Sequence, residues 1–184
     1  MRPSSFLPGH SSTGRSGRAK SRRGPRGTRR RLVRFWDTSG VVPLLLQQEA
    51  SDVVRPLLES DPMIAAWWGT PVECASAAAR LRREGLLTVD EEVQVLALLE
   101  DLEGAWFEIR PSEPLRREAG RLLRTHSLKA ADALQLAAAI TWAGPDRKSE
   151  IVTLDERLAL AAQLEGFTVL PGPAGLTEDR PPLP

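Results

Sequence analysis

Four acidic residues stand out by type and position: Asp37, Glu73, Asp132 and Asp155. Asp37 directly follows the short apolar run Leu32–Trp36, and Asp155 directly follows Ile151–Leu154. Glu73 falls three residues after Thr70, at the start of an amphipathic stretch. Asp132 sits among Ala130, Ala131, Ala133 and Leu134, where a carboxylate is poorly solvated and needs a partner. Two unit charges about 4 Å apart repel by roughly 4 kcal/mol at an effective dielectric of 20. Converging carboxylates therefore call for a cation. The chain has one cysteine, Cys74, and two histidines, His10 and His126, too few for a zinc cage of the usual kind. An all-oxygen set points to Mg²⁺ or Mn²⁺, whose chemistry suits phosphodiester hydrolysis. Each acid also has a plain structural reading: Asp37 and Asp155 as helix caps, Glu73 as the distal half of a capping box begun by Thr70.

The elements that must position these acids follow from the hydrophobic pattern. Strands are expected at Leu32–Trp36, Pro62–Ala66, Trp106–Ile109, Ile151–Leu154 and Phe167–Leu170. Between them, Val41–Leu46 and Ser51–Glu59 read as a broken helical hairpin. The segment 70–84 reads as a helix with Thr70 as N-cap, and Thr88 with Glu91 opens another to about Glu103. Ser112–Thr125, the Ala-rich Ala130–Trp142 and Asp155–Leu164 complete the set. Strands separated by helices imply right-handed crossovers and a mostly parallel sheet, hence an α/β fold in the form of a three-layer α/β/α sandwich. Chemistry in such sheets gathers outside the carboxyl ends of the strands. That is where Asp37 and Asp155 fall.

Charge divides the chain. Residues 1–31 hold ten of the 25 Lys and Arg and no acid, leaving 15 basic against 24 acidic residues in 32–184, a net of −9. The basic segment, rich in Arg, Gly, Ser and Pro, reads as a disordered tail. It is either an RNA-tethering arm or the product of a start codon placed too far upstream. Residues 32–171 form the expected domain, and the Pro-rich residues 172–184 a second tail. No apolar run approaches 18 residues and no secretory apolar stretch follows the basic start, so neither a membrane span nor export is expected, and the default location is the cytoplasm.

The stretches Phe35-Trp-Asp-Thr-Ser-Gly-Val-Val, Pro71-Val-Glu-Cys, Ala130-Ala-Asp-Ala-Leu-Gln-Leu-Ala-Ala-Ala and Val152-Thr-Leu-Asp-Glu-Arg-Leu together resemble the PIN-domain family, most closely its VapC toxins of bacterial toxin–antitoxin pairs. The likeness spans about Val33 to Pro171. It implies catalytic roles for Asp37, Glu73, Asp132 and Asp155, with Asp37, Asp132 and Asp155 on the metal, and Ser39 and Thr153 as supporting hydroxyls. It further implies a Mg²⁺- or Mn²⁺-dependent endoribonuclease acting on structured RNA such as tRNA or rRNA, homodimeric and held inactive by a cognate antitoxin.

Other residues carry weaker signals. Lys129 precedes Asp132 by three and so shares its side of the helix, a candidate for holding substrate. Arg80, Arg82, Arg83, Arg116, Arg117, Arg121 and Arg124 are candidates to flank an RNA site within the acidic domain. His126 reads as a surface residue without a partner. Trp67-Trp68 is unusual for the family and reads either as turn packing or as a stacking surface for an unpaired base. The apolar faces of Val41–Leu46 and Val53–Leu58 suit either core or a groove for an antitoxin helix or a second copy. Two further functions stay open: a catalytically silent PIN-like binding module, and a haloacid dehalogenase-like phosphatase, although that chemistry wants a second Asp where Ser39 stands.

Overall fold

The computed structural model describes residues 33–145 and 149–172; the basic segment and the Pro-rich end lie outside them. In chain order the elements are β1 (Arg34–Trp36), α1 (Thr38–Leu45), α2 (Ser51–Ser60), β2 (Ile64–Trp67), α3 (Thr70–Arg83), α4 (Val89–Glu103), β3 (Phe107–Ile109), α5 (Glu113–Thr125), α6 (Ala130–Ala143), β4 (Glu150–Val152), α7 (Glu156–Leu164) and β5 (Thr168–Leu170). All five strands are parallel, in the order β3-β2-β1-β4-β5. The chain thus starts in the middle of the sheet, builds outward through β2 and β3, and returns to the other side of β1 for β4 and β5.

Strand side chains alternate between faces, and that alternation separates two cores. Phe35, Ala65 and Ile151 pack with α5, α6 and α7. Their neighbours Trp36, Ala66 and Val152 pack with α1, α2, α3 and α4. A sheet buried on both faces needs apolar residues at consecutive positions, which explains why these strands read as unbroken runs. In α6 the buried positions are mostly alanine, so its backbone lies close to the sheet. Val41, Leu45, Leu46 and Val54 belong to the second core, and Leu45 and Leu46 also line a groove with Leu81, Leu86, Leu87 and Leu98. The large apolar side chains left in water include Val72 on α3, Leu86, and Val89, Val93 and Leu98 on α4.

Two local expectations are corrected. Thr88 and Glu91 do form a capping box, but Thr70 and Glu73 do not. Gly69 is the N-cap of α3; Thr70 has moved into its first turn and is fully buried, and Glu73 is bonded elsewhere. His126 is no bare surface residue either: its Nε2 lies 2.8 Å from Glu165 Oε1, a carboxylate that also accepts from Arg121. No helix among the described residues is long and apolar enough to cross a membrane.

Candidate active site at the carboxyl edge of the sheet

β1 lies at the point where the strand order reverses, the position at which an open parallel sheet forms a crevice beyond its carboxyl ends. Asp37 is the first residue past β1. Its N–H donates to Val152 O at 3.1 Å, tying it to the end of β4. Its side chain caps α1, with Oδ1 accepting from Gly40 N at 3.2 Å and from Ser39 Oγ at 2.8 Å. Only 4% of Asp37 is exposed. Burial pushes its carboxyl from the ordinary 3.8 up to about 7, against the opposing pull of hydrogen bonds from Ser39, Gly40 and Thr153. No lysine or arginine among the described residues pairs with it.

Ser39 joins this acid to the other side of the crevice. Its hydroxyl donates to Asp37 and accepts the N–H groups of Leu154 at 2.7 Å and Asp155 at 3.2 Å. Thr153 Oγ1 lies 3.3 Å from Ser39 Oγ and also accepts from Asp155 N at 3.2 Å. Close approach makes this possible: a Cβ on Gly40 would stand 3.0 Å from both Cγ1 and O of Val152. Glycine lets the first turn of α1 rest on the end of β4. Asp155 then caps α7, its Oδ1 accepting from Arg157 N at 2.9 Å and Leu158 N at 2.8 Å.

Glu73 belongs to a second, linked set of bonds. Its Oε2 accepts from Thr38 Oγ1 at 2.5 Å and from Gln135 Nε2 at 3.0 Å. Gln135 Nε2 also reaches Thr38 Oγ1 at 2.8 Å and Thr70 Oγ1 at 3.2 Å. Gln135 is buried on α6 and connects that helix to the starts of α1 and α3. Sequence reasoning passed over both Gln135 and Thr38. The available signal was an amide three residues after Asp132 in an otherwise Ala- and Leu-rich helix, on the same helical side as that acid. Asp132 is half-buried in the first turn of α6, and its Oδ2 accepts from Lys129 N at 3.2 Å. Lys129 itself is exposed.

The four acids are therefore carried to one edge by β1, α3, α6 and the β4–α7 turn. Burial, with the charges of Glu73 and Asp37 adding to it, pushes the Cys74 thiol up to about 12. Side-chain convergence is a separate matter. Among the described residues, no three His, Cys, Asp or Glu side chains come close enough together to hold a metal ion. Asp155 is turned onto the amides of α7 and Asp132 onto the amide of Lys129. Of the arginines singled out by sequence, Arg121 is committed to Glu118 and Glu165, Arg82 to Glu92, and Arg116 to Glu113.

Fold and edge together define the class: a parallel three-layer α/β/α domain with a buried, uncompensated aspartate at its switch point. The sequence matches the PIN domain family over residues 34–164. The chain belongs to that family. It is 29% identical over 141 residues to ribonuclease VapC45 and, equally, to ribonuclease VapC49, both of Mycobacterium tuberculosis; the match covers 74% of this chain and 94% of each relative. Among solved structures, PAE2754 from Pyrobaculum aerophilum superposes with a TM-score of 0.55 at 19% identity, covering 75% of this chain and 90% of that one. Mycobacterium tuberculosis VapC20, described as a sarcin-ricin loop cleaving toxin, gives 0.54 at 17% identity, covering 73% and 95%. These likenesses agree with the fold described above.

Proposed function

We propose that this chain is a Mg²⁺- or Mn²⁺-dependent endoribonuclease toxin that hydrolyses RNA phosphodiester bonds, with Asp37, Glu73, Asp132 and Asp155 at its active site. The observation that carries the reading is Asp37, a buried carboxylate at the switch point whose ionisation is suppressed by burial. A divalent cation would supply the missing counter-charge there, and the oxygen donors of the acids would suit Mg²⁺ or Mn²⁺ rather than zinc. Asp37, Asp132 and Asp155 would hold the ion. When bound, it activates a water and neutralises charge at the phosphate.

The chain's own residues prepare that event. Ser39 and Gly40 fix Oδ1 of Asp37, so the carboxylate cannot turn away. Thr153 and Ser39 hold the backbone of Asp155 against α1. Thr38 and Gln135 aim Glu73 by two donated bonds, leaving the carboxylate little rotational freedom. Asp132 stands in the first turn of α6, at the end of that helix where backbone N–H groups point outward. Lys129, exposed three residues before Asp132, would meet an RNA phosphate.

The two sequence relatives are named ribonucleases, and VapC20 is described as cleaving the sarcin-ricin loop. A structured RNA, tRNA or rRNA, follows as the substrate class. By the same kinship the protein acts in the cytoplasm as a homodimer and is neutralised by a cognate antitoxin; the apolar side chains on α3 and α4 offer contact surface for such partners. One observation favours a second reading, a catalytically silent binding module: the acids do not stand in ligating array without an ion. The phosphatase reading loses ground, since Ser39 stands where its second Asp belongs and the chain matches a different family.

The deciding experiment is RNA cleavage with added Mn²⁺, parent against Asp37→Asn, alongside calorimetric Mn²⁺ titration. Cleavage and Mn²⁺ binding by the parent, both lost in the variant, support the nuclease. A parent that neither cleaves nor binds Mn²⁺ supports the silent module.

A further inference from the structure

The tryptophans divide sharply. Trp36, Trp67 and Trp106 are buried and Trp142 is half-buried, whereas Trp68 leaves 53% of its surface in water. Trp68 directly follows β2, and its N–H donates to Ile109 O at 3.1 Å, which fixes its backbone to the end of β3. Its ring meets Trp67 edge to face, with centroids 6.3 Å apart and planes at 72°. Trp67 is itself held, because its indole lies over Gly69: a Cβ there would come within 2.7 Å of Nε1. An exposed indole fixed through backbone and ring loses little freedom when something stacks on it.

Beside it lies a cleft of about 310 Å³, walled by Trp67, Trp68, Pro111, Leu115 and Leu134, with Ser112 and the ion pair Glu113–Arg116 at its lining. The walls are mainly apolar and aromatic, which suits the face of a planar heterocycle. Arg116 pairs with Glu113 at 3.1 Å, but both side chains lie on the surface, 80% and 58% exposed, so a phosphate can compete for the guanidinium. The segments that wall the cleft also carry the acids. Trp67 and Trp68 lead through Gly69 into the first turn of α3, which bears Glu73, and Leu134 follows Asp132 by two residues on α6.

We propose that this cleft is a subsite for one unpaired nucleobase of the RNA substrate, with Trp68 as its stacking platform and Arg116 on the adjoining phosphate. The proposal rests on the ribonuclease reading above and adds to it a place for a base on segments that also carry Glu73 and Asp132. Unpaired bases in RNA loops are splayed out and stack on aromatic side chains. Since every base has a π-face, the platform contributes affinity with little sequence preference.

The test uses the full chain in EDTA, which prevents cleavage, at a salt concentration high enough to weaken non-specific phosphate binding. A single-stranded oligoadenylate and an abasic oligomer of equal length, each end-labelled with a fluorophore, are titrated by anisotropy against parent, Trp68→Ala and Trp68→Phe, with iodide quenching of the parent's tryptophan fluorescence as a second readout. The parent is expected to bind the oligoadenylate with its exposed fluorescence shielded. Trp68→Ala should bind it about 5- to 150-fold more weakly, the range of one lost base stack, and Trp68→Phe should recover most of that. The abasic oligomer should bind parent and Trp68→Ala alike. Equal oligoadenylate affinity for parent and Trp68→Ala overturns the subsite, as does an abasic oligomer binding the parent as tightly as the intact one. So does shielding of Trp68 that grows with protein concentration and no RNA, which would assign the ring to a second copy. In parallel, RNA digestion with Mn²⁺ separates the two claims: a parent that cleaves while Trp68 proves irrelevant keeps the nuclease and loses the subsite, and a parent that neither cleaves nor binds RNA removes both.

Discussion

Replacing Asp37 by Asn should stabilise the metal-free protein at neutral and higher pH while abolishing its activity. The carboxyl is buried and its pKa is raised from 3.8 to about 7. An acid whose folded pKa lies above its unfolded value binds more protons in the native state, so stability falls as pH rises from the unfolded to the folded value. Below pH 4 the carboxyl is protonated in both states and imposes no penalty. Above about pH 7 the full difference applies, roughly 4 kcal/mol at 1.36 kcal/mol per pH unit. Asparagine keeps the shape, still accepts from Gly40 N and remains a good N-cap, so the variant removes little besides the charge. Thermal unfolding in EDTA should show nearly equal melting temperatures for parent and variant near pH 4. A gap should open toward pH 8, about 2–4 °C for each kcal/mol in a domain of this size. Added Mn²⁺ should narrow that gap by stabilising only the parent, by about 2.7 kcal/mol at a hundredfold excess over its dissociation constant. A variant that melts below the parent at pH 8 in EDTA, or a gap that does not depend on pH, would refute the account of Asp37 as a desolvated, unpaired charge.

Other expectations concern the bonds around it. Glu73→Gln and Asp132→Asn should each abolish RNA cleavage while circular dichroism stays unchanged; cleavage at the parental rate by either removes that residue from the active site. Ser39→Ala leaves the N–H groups of Leu154 and Asp155 without the hydroxyl that accepts them, so urea unfolding should register a loss of about 1–3 kcal/mol together with reduced cleavage. Gln135→Leu takes away a donor to Glu73 and should lower kcat, with Gln135→Glu failing to restore it because a carboxylate cannot donate to another carboxylate. By contrast, His126→Ala breaks the contact with Glu165 far from the acidic edge; it should lower the urea midpoint and leave cleavage intact.

What could be read from the chain alone was what depends on neighbours in sequence. The strands were legible because a sheet buried on both faces demands continuous apolar runs. Asp37 and Asp155 were legible because each directly follows such a run, and the strand end is the crevice. The four motif blocks carried the family. The same local logic failed where a distant partner competes for a side chain. Thr70 and Glu73 have the spacing of a capping box, but Gln135, more than sixty residues away, draws both side chains inward and Gly69 takes the cap. His126 looked solitary because Glu165 lies 39 residues on, across the α5–α7 packing. Trp68 could not be told from its neighbour by composition; only the sheet register shows Trp67 turned into the core and Trp68 past the strand end, in water. Sequence thus pointed to strand ends and helix starts as the places for acids. Tertiary structure decided which hydroxyls and amides hold them there, since a hydrogen bond between residues far apart in the chain leaves no periodicity to read.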